Sequence, residues 1–178
     1  MSPKEIRGQS IEIAASLGYA TNPALPLPEG TECSRTGSEI VDRLLALHAV
    51  AATALGFERE RARAWLTKER VWEALTRQER RFIDEGTGHH HRFATAVEAM
   101  WALAWALGLI EHLDFSLGCD DQFVRKMPDL KVGQSSESLR TKIHLRPRDE
   151  LLSACDLAYC LHWAIREAEI AGKGHLAR

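Results

Sequence analysis

The stretch ATAVEAMWALAWALGLIEHL, residues 94–113, is apolar on almost every side and carries the carboxylate of Glu98 within its apolar run. A surface helix shows a single apolar stripe, whereas a segment that is apolar all round is buried inside a fold. The pattern therefore predicts a central buried helix. A second segment, RDELLSACDLAYCLHWAIREAEI at 148–170, follows Pro147, a residue suited to the first turn of a helix. It is apolar nearly all round between Leu151 and Ile165, and Gly172-Lys173-Gly174 is expected to end it. Two such helices are expected to pack on each other. No strand-like alternation of useful length and no fixed repeat occurs elsewhere. The expectation is an all-α fold, a multi-helix assembly around two central apolar helices at about 94–113 and 148–171.

With 178 residues, 45% of them apolar, the chain suits one full-sized core, so a single helical domain over 1–178 is expected. A net charge of -2 and a pI near 6.4 supply no global attraction to nucleic acid or to an anionic membrane, and neither is expected as a partner. Residues 94–110 come nearest to a membrane span, but Glu98 interrupts them and they fall short of the roughly 20 apolar residues a bilayer requires. Cys33, Cys119, Cys155 and Cys160 form no C-x-x-C pair. Free thiols in apolar helical runs behave as small hydrophobes, which suggests a reduced, cytoplasmic chain. The first twenty residues hold no continuous apolar signal segment.

Flanking segments read as helices with identifiable starts and stops. Ile6, Ile11, Ile13, Ala14 and Leu17 suggest a first helix ended by Gly18. Residues 20–35, with three prolines close together, predict a proline-rich surface connector, either a packed link or a polyproline ligand for another protein. Thr36 and Glu39 fit a capping box, and the helix that follows carries Ile40, Leu44, Leu47, Ala51 and Leu55 at helical spacing up to Gly56. His48 beside that stripe reads as a hydrogen-bonded core residue rather than a ligand. Between 58 and 85, Trp65, Trp72, Leu75, Phe82 and Ile83 form an apolar stripe, and Thr76 with Glu79 offers another capping box. The arginines here are interleaved with glutamates, which reads as a solvated face rather than a nucleic-acid surface. From 118 to 146 the chain turns polar, with Phe123, Val124, Met127 and Leu130 expected to pin it and a short helix expected near 136–143.

His89, His90 and His91 invite a metal assignment. Consecutive helical residues point about 100° apart, so three neighbours do not converge on one ion, and metal helices use i, i+4 spacing instead. No physiological metal is assigned to them; adventitious binding is the weaker alternative.

Three blocks in order carry a family resemblance: W-E-A-L-T-x-x-E-x-x-F-I at 72–83, E-x-x-W-A-L-A-W-A-L-G-L at 98–109, and L-R-P-R-D-E-L-L-x-A-x-D-L-x-Y-x-L-H-W-A-I-R-E-A at 145–168. Over roughly 35–172 the chain resembles the domain of unknown function 4272, a largely bacterial family. The resemblance implies no cofactor, substrate or catalytic residue. Its motif positions here include Trp72, Thr76, Glu79, Gly108, Asp156 and Trp163. Cys160 departs from the pattern, which expects a more polar residue there.

The polar residues of the two apolar helices remain. At about 100° per residue, Tyr159, His162 and Arg166 share one face of their helix, and Glu98 and Trp105 share a face of theirs. Burying an unpaired charge costs several kcal/mol, so such groups pair or line a cavity. As a structural network, Glu98 would key one helix to His162 and Arg166. As a site, Arg166 would hold an anion, His162 move a proton, Tyr159 hydrogen-bond and Trp105 form a wall. The structural reading is preferred. No phosphate loop, dinucleotide fingerprint or activated nucleophile occurs. The function expected is therefore that of a non-enzymatic protein-interaction module, acting through the proline-rich arm or the charged 58–85 region; the alternative is a small-molecule site at the Glu98, Trp105, Tyr159, His162, Arg166 cluster.

Overall fold

A computed structural model describes residues 1–27, 35–88, 90–120 and 122–171. Residues 28–34 of the proline-rich connector, Cys33 among them, His89, and the glycines expected to end the last helix lie outside them. Every regular element among the described residues is helical: α1 (Pro3–Ser16), α2 (Gly37–Ala54), α3 (Arg59–Lys68), α4 (Arg77–Glu85), α5 (His90–Ala94), α6 (Ala96–Ala106), α7 (Glu137–Arg140) and α8 (Arg148–Ile170). None of these helices is long and apolar enough to cross a membrane. The chain forms two compact units, one of Met1–Ser34 with Arg146–Arg178 and the other of Arg35–Leu145.

In the first unit α1 packs on α8. The two helices run in the same direction: the Met1 ammonium reaches Asp149, Arg7 reaches Asp156, and Ala14 packs on Leu157 and Leu161. Ser2 and Glu5 form a capping box at the start of α1. At its end the amides of Gly18 and Tyr19 return to the carbonyls of Ala15 and Ala14, with Gly18 left-handed at φ 85°, the glycine stop that local sequence predicts.

In the second unit the most heavily buried helix is α2, with ten buried residues from Val41 to Thr53. It packs against α3, α4, α5 and α6. The capping boxes at Thr36 and Thr76 form as expected, and Gly56 ends α2.

The helix expected over 94–113 is shorter. Gly108, left-handed at φ 68°, turns the chain, and the amides of Gly108 and Leu109 bond back to Trp105 and Ala104 at 2.9 Å each. The His144 imidazole occupies the space beside it: a Cβ on Gly108 would lie 2.2 Å from that ring. Only Met100 and Ala104 of α6 are fully buried, so α2 rather than α6 is the centre of this unit. The packing partner of α8 within its own unit is α1, and α6 lies on α2.

Candidate functional site

The sequence-predicted residues fall in different units. Glu98 and Trp105 belong to the 35–145 unit. Glu98 is exposed, and both its oxygens accept the Cys119 amide at 3.2 Å; Trp105 is half-buried against the α2 core. Tyr159, His162 and Arg166 lie on α8. Tyr159 is 43% exposed and faces the Arg7 guanidinium at 6.0 Å, His162 is exposed, and Arg166 pairs with Glu169 at 2.7 Å. His90 packs its ring edge on Phe82 at 4.9 Å and His91 is exposed. Among the described residues no group of three or more His, Cys, Asp or Glu side chains is placed to hold a metal.

The buried charge of α8 is Asp156. Its carboxylate takes two bonds from Arg7, at 2.6 and 3.0 Å, and Arg7 also donates to the carbonyls of Leu25 and Pro26 at 2.8 and 2.9 Å. Both side chains are nearly closed to solvent. The pair ties α1, α8 and the start of the connector together, and every donor direction of the guanidinium that is used ends on protein. It is a strut. In the sequence Asp156 stands out only as a position of the family motif, and its partner lies 149 residues away, beyond any periodicity.

A concavity that the sequence reading does not anticipate lies in the 35–145 unit. Ala52 of α2, the turn from Leu55 to Phe57, and Arg61 of α3 form one wall, and the segment 124–134 forms the other, around about 860 Å³. The segment is fastened in several places. Phe123, Met127 and Leu130 are buried, as the sequence suggested. The Trp65 indole donates to the Gln134 carbonyl at 2.8 Å, Lys68 to that of Gly133 at 3.0 Å, and Arg61 to that of Lys131. The segment also closes on itself. The Asp129 carboxylate accepts the Lys131 amide, and the Asp129 amide donates to the Gln134 side chain, each at 2.8 Å. Val124 departs from expectation: it is 52% exposed and lines the cleft instead of pinning the chain.

His48 lies at the floor. Its Nε2 stands 2.9 Å from the Pro128 carbonyl, which can only accept, so Nε2 carries the proton. Burial pushes the imidazole below its usual value, which favours the neutral ring, with the Pro128 carbonyl working the other way. Its Nδ1 is then an acceptor without a partner among the described residues. The sequence reading of His48 as a hydrogen-bonded core residue holds, and the ring also faces the cleft.

Charge on the cleft walls is unevenly spent. Arg61 lies over the Phe57 ring at 5.3 Å and 3.8 Å from Glu58, and Asp129 is occupied by its own loop. Arg125 and Lys131 have no carboxylate partner among the described residues. Leu55, Phe57, Val124 and Met127 contribute apolar surface to the same cleft. A cleft of this composition can hold a small molecule with an apolar body and an anionic group.

Comparison with curated proteins and with solved structures gives no match. A family profile described as "Domain of unknown function (DUF4272)" matches residues 7–176. That span takes in the Arg7–Asp156 strut, the capping box at Thr76, the Gly108 turn and the whole His48 cleft, and the chain belongs to this family.

Proposed function

We propose that the 35–145 unit is a binding module for a small organic acid, held in the cleft beside His48. Support comes chiefly from one observation: an apolar-walled cleft of about 860 Å³ in which two of the three lining cations, Arg125 and Lys131, have no carboxylate partner among the described residues, the third, Arg61, standing 3.8 Å from Glu58. The apolar body lies against Leu55, Phe57, Val124 and Met127, where burying it gains roughly 25 cal/mol per Å². The acid group meets Arg125 and Lys131, and a hydroxyl on the ligand can donate to Nδ1 of neutral His48. This reading takes the small-molecule alternative over the interaction module, at a cleft other than the Glu98, Trp105, Tyr159, His162, Arg166 cluster; no reaction is assigned.

The test uses octanoate, octanol and the anionic dye anilinonaphthalene sulfonate with the full chain. The dye should brighten on binding and octanoate should displace it. Ala52→Trp, which fills the cleft from the α2 wall, should abolish both effects without changing the helical circular dichroism. Dye binding unaltered by Ala52→Trp would place it elsewhere, and octanol competing as well as octanoate would remove the role of the cations.

A further inference from the structure

A second basin of about 340 Å³ lies against the same Met127–Pro128 segment and shares Arg125 and Gln134 with the main cleft. Its lining differs in chemistry. Arg125, Lys126 and Lys142 contribute three cations, Ser135 and Ser138 two hydroxyls, and no carboxylate lines it. None of the three cations has an ion-pair partner among the described residues. The nearby Arg140 is a contrast, because it is neutralised by Asp42 at 2.7 Å. The Ser135 oxygen accepts the Glu137 amide at 3.3 Å, which leaves its hydroxyl proton free to donate. The frame is held from outside the basin, where Glu69 binds the Ser136 hydroxyl and amide at 2.5 and 3.0 Å.

A carboxylate offers one charge and two oxygens to this set, whereas a phosphate monoester offers about -1.5 to -2 charges and three acceptor oxygens near neutral pH. We infer that this basin is a phosphate subsite adjoining the main cleft, and that the ligand is a soluble phosphate monoester with an apolar body. The inference rests on the cleft reading above and names the substituent that reading leaves general. Lysines bind phosphate as point charges while Arg125 can present two donors, and Arg125, at the boundary of both basins, faces the join between body and head group.

Isothermal titration of the full chain with octyl phosphate and with octanoate tests this directly. Octyl phosphate should bind about tenfold tighter or more, the worth of one added charge-assisted hydrogen bond. The double variant Lys126→Ala/Lys142→Ala should erase that advantage while leaving octanoate affinity unchanged. Inorganic phosphate alone should shift the amide resonances of residues 135–142. Equal affinity for the two probes, or an advantage that survives the double variant, would overturn the inference while the cleft reading stands. Failure of octanoate to bind the parent chain would instead overturn the cleft reading, and with it this one. Phosphatidylcholine vesicles carrying phosphatidate should not sediment the protein; sedimentation lost in the double variant would assign the phosphate to a lipid head group and overturn the soluble ester.

Discussion

Replacing Asp156 with alanine should loosen the pairing of α1 and α8 by about 3 kcal/mol, at the lower end of the range for removing one partner of a buried ion pair. The parent Asp156 and Arg7 side chains are only 1% and 5% exposed, so little water reaches either charge to replace the lost partner. Arg7 keeps its bonds to the Leu25 and Pro26 carbonyls, which is why the lower end applies. A loss of that size raises local opening by roughly a hundredfold. Native-state hydrogen exchange at the amides of α1 and α8 measures it. Removing both charges with Arg7→Met/Asp156→Leu should recover part of the loss, because no unpaired charge remains. Two carbonyls then lose their donor, at about 1 kcal/mol each, so about 1–2 kcal/mol of destabilisation should persist. Asp156→Ala within about 1 kcal/mol of the parent, or a double variant no better than the single one, would refute the reasoning.

Glu79→Gln should cost about 2 kcal/mol in urea melts, since Glu79 takes two bonds from Arg43 at 2.6 and 2.7 Å and caps the Thr76 amide. Burial alone would raise the Glu79 carboxyl, but Arg43 and the Thr76 amide outweigh it and hold it below its usual 4.5. Its stabilisation is therefore complete above 4.5 and lost as pH falls through the lower folded value; the variant should flatten that acid limb. His48 acts in a higher window. Its folded value lies below the usual 6.5, so the unfolded chain takes up a proton first and stability should decline as pH falls below 6.5. His48→Phe should remove that slope in pH-dependent melts. Gly108→Ala should cost about 3 kcal/mol or more, from left-handed strain plus collision with the His144 ring. Gly18→Ala, with open space around its Cβ, should cost only the strain, about 1–2 kcal/mol; similar melting shifts for the two would contradict this.

Much of the helical framework was legible before any coordinates. The capping boxes at Thr36 and Thr76 and the stops at Gly18 and Gly56 bond within a few residues of themselves, so local sequence suffices to find them. The same grammar stands at Ser2 with Glu5 and at Gly108. At Gly108 an apolar run continues on both sides, and hydropathy masks the turn. The His144 ring that makes glycine necessary there comes from a distant loop. The Glu98 reading shows the opposite limit: a carboxylate in an apolar run looks buried, yet it lies in the first turn of α6, exposed, and accepts the Cys119 amide.

By itself the sequence determined the all-α class, the capped starts of α2 and α4, the glycine stops of α1 and α2, and the family, because each depends on residues near one another along the chain. Tertiary structure alone decided that α2 is the centre of its unit, that Arg7 answers Asp156, and that residues 124–134 fold back to make a cleft beside His48. Those outcomes depend on contacts between residues far apart in sequence. Periodicity shows which face of a helix will be covered, but the covering partner is selected by shape and charge only when the chain has closed.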